Sequence, residues 1–225
     1  MTRTIPKPKA VIFDMDGVIV DSMPYHYIAW YEALLPYGIR VSCIDVFERE
    51  GEIWGRTLGD FFGRIGVAVT PELSREVYEK RQRIFKKIYK RNIFGGAVEL
   101  IEQLKRKGFM LGLVTGTPTN EIRKILPSKV RAMFDCIVAG NHVKHGKPHP
   151  EPYLKAAAAL GLKPRECLVI ENGPHGITSA KAAGMFCVGV ETSLPKNYIG
   201  HADIVVQTLQ DVDRLLVGKC KKEKR

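Results

Sequence analysis

Six short apolar runs recur along the chain with helical segments between them, and this rhythm limits the fold more than any other feature. They are "AVIFD" (10–14), "MLGLVTG" (110–116), "CIVAG" (136–140), "CLVIE" (167–171), "FCVGV" (186–190) and "DIVV" (203–206). Each run is apolar at consecutive positions, so both faces must be covered, which is the pattern of a parallel sheet between two helical layers. The connecting segments read as helices. "AVELIEQLKRKG" (97–108) has apolar residues at helical spacing and stops in Lys and Gly, and "PEPYLKAAAALG" (150–161) and "GITSAKAAG" (176–184) also stop at glycine. This βαβ repetition predicts an α/β fold with right-handed crossovers.

One region breaks the rhythm. Between Ser22 and about Asn92 the strand signal vanishes and helix-like segments follow one another: "PYHYIAWYEALL" (24–35), "TLGDFFGRIG" (57–66) and "PELSREVYEKRQRIFKKIYKR" (71–91). The expected organisation is an α/β core of residues 1–21 and 93–225 with a helical insert of residues 22–92, and Gly95 and Gly96 as its hinge. A chain of 225 residues, 45% of them hydrophobic, suffices for one core with a modest insertion.

Composition removes several function classes. No apolar run approaches the roughly 18 residues that span a bilayer, and the first nine residues lack an apolar signal region, so a cytoplasmic protein with no membrane role is expected. Cys43, Cys136, Cys167, Cys187 and Cys220 are odd in number and free of any CxxC, which fits reduced thiols better than disulfides or a zinc site. The net charge of +11 suits anionic partners without choosing among them. Much of the excess lies in 75–91 and in the tail Lys219–Arg225, which read as a solvated helix face and a frayed end, so nucleic acid is not the expected partner. Nothing in the sequence sets an oligomeric state.

Polar residues at strand ends carry the chemistry. "VIFDMDGVIVDS" (11–22) closes the first run with Asp14 and Asp16, two positions apart and therefore able to reach one ligand, with Gly17 to turn the chain away. One carboxylate could attack while the other moves a proton. An anionic phosphoryl group would be repelled by roughly 1 kcal/mol per charge pair at 4 Å in water and about 4 at an effective dielectric of 20, so cations and N–H donors are required. Later strand ends supply them. Thr115, with Gly116 and Thr117, offers a hydroxyl and backbone N–H groups; Lys147 precedes a proline-containing helix start; Glu171 and Asn172 are oxygen ligands suited to Mg²⁺. "GNHVKHGK" (140–147) is not a P-loop, having five residues between its glycines and Pro148 in place of Ser or Thr. His142, His145 and His149 match no zinc spacing.

"FDMDGVIVDS", "VTGT", "GKPHPEPY" and "IENGPHGITSAKAAG" resemble the four ordered motifs of the haloacid dehalogenase superfamily, from about Lys9 to Val206. "DSMPYHYIAW" (21–30) and "GRT" (55–57) are similar to its β-phosphoglucomutase and phosphoglycolate phosphatase branch. The resemblance implies a Rossmann-like core with a small α-helical cap. It further implies Asp14 as a nucleophile that becomes a phosphoaspartate, Asp16 as general acid and base, and Thr115 and Lys147 on the phosphoryl group. Mg²⁺ would sit on Asp14, the Asp16 carbonyl, Glu171 and Asn172. The expected activity is hydrolysis of a small phosphorylated metabolite, with a phosphomutase as the alternative and a non-catalytic anion or nucleic-acid binder as a distant third. This chain departs from the motif at Asn172, where the superfamily has an acid: either the amide is a weaker ligand, or Asn172-Gly173 is a turn and Glu171 alone serves the metal. His26 and Arg56 are expected on the cap's inner face, at the substrate.

Overall fold

The structure is a computed structural model that describes residues 6–52 and 54–218, so the basic tail Lys219–Arg225 and Cys220 lie outside the described residues. All six apolar runs are strands: β1 (Ala10–Phe13), β2 (Met110–Val114), β3 (Cys136–Val138), β4 (Cys167–Glu171), β5 (Phe186–Val190) and β6 (Ile204–Val206). They form one parallel sheet in the order β3-β2-β1-β4-β5-β6. Ala10 lies between Met110 and Cys167, and Phe13 between Leu113 and Ile170. Alternate residues of β1 feed different layers: Val11 and Phe13 enter one apolar cluster and Ala10 and Ile12 the other. Burial on both sides is the reason the run has no polar position.

Between β1 and β2 come α1 (Met23–Leu34), α2 (Cys43–Phe47), α3 (Trp54–Gly63), α4 (Pro71–Ile88) and α5 (Ala97–Arg106). The remaining helices are α6 (Thr119–Ile125), α7 (Ser128–Arg131), α8 (Glu151–Ala159), α9 (Pro174–Ala182), α10 (Lys196–Ile199) and α11 (Leu209–Leu216). Helix α4 is polar overall yet well specified. The Thr70 hydroxyl caps it by accepting from Leu73 N, Pro71 opens it, and Lys86 and Lys87 close it against the helix dipole. Its buried stripe, Ser74, Val77, Arg81 and Phe85, follows the helical period and packs on α1. Trp30 and Leu34 of α1, Phe61 and Phe62 of α3 and Val77 of α4 share an apolar cluster of their own. Burying each phenylalanine contributes about 1.5–3 kcal/mol.

The chain leaves and re-enters the sheet region side by side. Asp21 N donates to Asn92 O at 2.9 Å and Phe94 N to Ile19 O at 3.0 Å, with an antiparallel bridge between Val20 and Ile93. No helix among the described residues is long and apolar enough to cross a membrane.

Candidate active site

Sheet order reverses at β1, with β2 on one side and β4 on the other, and ligands bind beyond the carboxyl ends of strands at such a switch point. Asp14 stands there, its N–H extending the ladder to Ile170 O at 3.0 Å. A tight turn follows, closed by Gly17 N on Val20 O at 2.8 Å and Val20 N on Met15 O at 3.0 Å, and it brings Asp16 back beside Asp14. Gly17 has φ +82°, and a Cβ there would lie 2.0 Å from Asn172 Nδ2, so the turn and the close approach both require glycine.

One ammonium is shared by two carboxylates. Lys147 Nζ donates to Asp14 Oδ1 and to Glu171 Oε1, both at 2.5 Å, and all three side chains are almost fully buried. Glu171 is saturated: Oε1 also accepts from Tyr153 OH at 2.9 Å, and Oε2 accepts from the N–H groups of Asn172 (2.8 Å) and Gly173 (3.1 Å). Burial alone would lower the lysine, but the charges of Asp14 and Glu171 outweigh it and raise its pKa. Burial raises Asp14 well above the usual carboxylate range, Lys147 opposes this, and the charges of Glu171 and Asp16 add to it.

Asp16 has a different set of partners. Its Oδ1 accepts from Ser22 Oγ at 2.7 Å and His26 Nε2 at 3.4 Å, and its Oδ2 from Thr117 Oγ1 at 3.0 Å and Thr115 Oγ1 at 3.3 Å. Burial pushes Asp16 up, but His26, then the hydroxyls of Ser22 and Thr117, outweigh it and hold it at about 2. Arg81 Nη2 touches His26 Nδ1. A guanidinium can only donate, so Nδ1 accepts and Nε2 carries the proton given to Asp16.

Among the described residues, the buried side-chain oxygens without a hydrogen-bond partner include Asp14 Oδ2 and Asn172 Oδ1. The Asn172 amide cannot flip freely, because its Nδ2 donates to Ser193 Oγ at 2.9 Å. Asp16, His26 and Glu50 also bring ligand atoms within 4.8 Å of one another. Arg81 puts a cation against that ring, however, and imidazole matches Mg²⁺ poorly, so the oxygens of Asp14 and Asn172 are the better site for a hard ion.

Segments between β1 and β2 form the roof. Gly51 lies so close to Lys147 that a Cβ would meet its Cδ at 2.5 Å, and Gly116 faces the Gly51 backbone. The space beneath is lined by Gly116, Thr117, His26, Glu50, Trp54 and Arg81 among others. Asp14, Asp16, Thr115, Lys147, Glu171, Asn172 and His26 thus meet as the motif spacing anticipated, all buried. Arg56 stands apart. Its side chain is 70% exposed and pairs with Glu52 at 3.2 Å, outside the pocket that holds His26. Sequence reasoning did not single out Ser22, Glu50, Arg81 or Tyr153. Arg81 had a signal, being an arginine on the apolar stripe of α4.

Polar groups from neighbouring strand ends, gathered under a helical roof, define an α/β enzyme with an anion pocket at the carboxyl edge of its sheet. The chain belongs to the haloacid dehalogenase-like hydrolases, whose family model matches residues 8–184. It is similar to a phosphorylated carbohydrates phosphatase of Thermotoga maritima, 32% identical over 79% of this chain and 82% of that protein. It is also 32% identical to the β-phosphoglucomutase of Bacillus subtilis over 91% of both chains. The solved β-phosphoglucomutase of Clostridium difficile superposes with a TM-score of 0.78 at 26% identity, over 93% of this chain and 97% of that one. The chain is therefore an enzyme of the phosphoric monoester hydrolase type found in this family.

Proposed function

We propose that this protein is a Mg²⁺-dependent phosphatase of a small phosphorylated metabolite, working through a phosphoaspartate at Asp14, with residues 22–92 as a cap over the site. The observation that carries this reading is the contrast within one turn: Asp14 is held by a shared ammonium and has one free oxygen, while Asp16 is ionised and surrounded by donors. Asp14 attacks phosphorus as the ester P–O bond breaks, and the leaving oxygen takes its electron pair and a proton from Asp16. Water then attacks the acyl phosphate, Asp16 receives the water's proton, and Asp14 is released with inorganic phosphate. Asp16 must acquire its first proton in the complex, where the nearby phosphate dianion raises its pKa. Lys147, the Thr115 hydroxyl and the Gly116 N–H hold the phosphoryl oxygens, with the Thr117 N–H orienting the Thr115 hydroxyl at 3.0 Å.

The site fits Mg²⁺. Asp14 Oδ2 and Asn172 Oδ1 are buried, unpartnered oxygens, and one ammonium faces the three carboxylates of Asp14, Asp16 and Glu171. Asp14, Asn172 and the Asp16 main-chain carbonyl would hold the ion, with Glu171 serving Lys147 instead. When bound it offsets the crowding of negative charge between nucleophile and phosphoryl group. The unpaired cysteines, Cys43, Cys136, Cys167 and Cys187, agree with a reducing, cytoplasmic setting.

A screen of phosphorylated metabolites for Mg²⁺-dependent phosphate release, with Asp14→Asn as control, tests the reading. Release that survives Asp14→Asn would refute the phosphoaspartate. The likeness to β-phosphoglucomutases supports a mutase as second reading. Supplying a sugar 1-phosphate with a trace of bisphosphate separates the two, since a mutase yields the isomer and a phosphatase yields free phosphate.

A further inference from the structure

We propose that Glu50 makes the pocket charge-selective, accepting a hydrogen bond from a hydroxyl beside the scissile ester and rejecting esters that carry a second anionic group there. The inference rests on the phosphatase reading and names its substrate class: a monophosphate on an uncharged, hydroxyl-rich body.

The position of Glu50 sets what it can meet. A carboxylate oxygen of Glu50 lies within 4.8 Å of Asp16 and His26, and the residue lines the pocket. Asp16 protonates the leaving oxygen, so Glu50 faces the atoms one or two bonds beyond it. With Asp16 carrying its proton, the Glu50 carboxylate is the group facing that point that accepts hydrogen bonds from hydroxyls and repels a carboxylate or a second phosphate.

The two arginines that line the pocket are engaged through their terminal nitrogens, while Arg49 Nε and Arg81 Nε are buried without a hydrogen-bond partner. Arg49 donates from Nη1 to Asp45 O at 2.9 Å and lies over Phe61. Arg81 is committed to His26 Nδ1 and to Gln82 Oε1 at 3.1 Å, and its guanidinium sits over Trp30 and Phe85. Burial lowers the Arg81 pKa, and the charge of Glu50, which reaches within 4.8 Å of the same His26 ring that Arg81 touches, is the largest influence holding it up, so Glu50 balances the Arg81 charge without a direct ion pair among the described residues. Glu50 itself makes no side-chain hydrogen bond among the described residues. The other acids on the rim do have partners: Glu52 accepts from Thr57 and pairs with Arg56, and Glu121 pairs with Lys124. Across from Glu50, Trp54 and Tyr78 stack at 4.5 Å and 18°, and Gln82 Nε2 donates to Tyr78 OH at 2.6 Å. A flat aromatic face beside a carboxylate suits a body with C–H and O–H surfaces.

The test compares kcat/KM of the full chain in Mg²⁺ for sorbitol 6-phosphate, glucose 1,6-bisphosphate, phosphoglycolate and p-nitrophenyl phosphate. Wild type should favour the polyol monophosphate over both doubly anionic esters by at least about 100-fold. Glu50→Gln, close in shape, should cut that preference at least about tenfold, with turnover of the two acidic esters rising as the Arg81 charge loses the carboxylate that balances it. A gain of rate on those esters cannot come from misfolding. Comparable wild-type rates on all three natural esters, or an unchanged preference in Glu50→Gln, overturn the role of Glu50 and leave the phosphatase reading standing. Hydrolysis of p-nitrophenyl phosphate but of no polyol or sugar monophosphate overturns the hydroxyl contact. Release from no ester at all, in a protein that unfolds cooperatively on heating, removes the phosphatase reading and the inference with it.

Discussion

Replacing Lys147 by methionine keeps the volume of the stem and deletes the ammonium between Asp14 and Glu171. Each ion pair spans 2.5 Å, and the three side chains are only 3–4% exposed. At an effective dielectric of 20 each attraction is worth about 7 kcal/mol, set against a desolvation penalty of several kcal/mol per ion and the mutual repulsion of the two carboxylates. The ammonium is thus close to neutral as an addition but costly as a loss, because it would leave two buried carboxylates without a cation. Lys147→Met should cost about 3–5 kcal/mol at pH 7.5, which at a slope of about 2–3 kcal/mol per molar moves a urea midpoint by about 1–2 M. The pH dependence has a definite sign. In the variant Asp14, whose native pKa is already raised by burial, loses the opposing charge of Lys147, so the native state binds more protons than the unfolded one and loses stability as pH rises. The gap to wild type should therefore shrink between pH 7.5 and pH 5. Adding Glu171→Gln should return about 1–2 kcal/mol by removing one unpaired charge. Equilibrium urea unfolding without Mg²⁺ reads all of this, and a loss below about 1 kcal/mol, or a gap indifferent to pH, would refute the shared-ammonium account.

Asn172→Asp should tighten Mg²⁺ at least about tenfold by calorimetry without substrate, and Ser193→Ala, which frees the amide, should weaken it; unchanged affinities would return Asn172 to a turn role. Gly51→Ala places a Cβ against Lys147 at φ +78°, so kcat/KM should fall at least about tenfold with a stability loss of about 1 kcal/mol, and an unaffected enzyme would show that the roof need not lie so close. Asp16 at about 2 against an ordinary 3.8 contributes about 2 kcal/mol of stability that is complete above pH 4 and lost as pH falls toward 2. His26→Phe removes the strongest of the interactions that lower it, so the stability gap to wild type should narrow below pH 4; a constant gap from pH 7 to pH 2 would sever Asp16 from His26.

The sheet was readable because it is buried on both faces: consecutive apolar residues cannot be hidden any other way, and all six runs became strands. Helices α1, α3 and α4 were readable from their periodicity. The helix α2 was missed because five residues carry too little period, although Ser42 and Asp45 cap each other around its start. α11 carries a similar Thr208–Asp211 box before an amphipathic run, so its signal is present in the sequence as well. Within the site, strand-end residues were legible since local motifs place them. Side-chain assignments were not. The oxygens of Glu171 are saturated by Lys147, Tyr153 and two N–H groups, and two of those four donors lie distant in sequence. Arg56 was expected on the cap's inner face at the substrate; its side chain instead pairs with Glu52, one turn earlier, and stays largely exposed in a cleft it shares with Lys147.

The opposite behaviour of Asp14 and Asp16 follows from which part of the chain supplies their partners. Asp14 shares a single ammonium with Glu171; both carboxylates stand at strand ends and Lys147 in the loop before α8, so none of the three is supplied by α1 or α4. Asp16 depends on the roof for half its donors, since Ser22 opens the first helix and His26 lies one turn along it, oriented in turn by Arg81 from α4. Displacing α1 and α4 from the sheet would remove His26, the strongest influence lowering Asp16, together with part of the burial that raises both aspartates. In the proposed reaction the strength of the acid and base is therefore tied to closure through His26, while the ammonium that opposes the raised pKa of Asp14 comes from the core. A phosphorylated Asp14 can meet water under an open roof, but without the roof Asp16 loses Ser22 and His26, the two partners that orient its Oδ1 for that attack, so closure governs hydrolysis through the second aspartate.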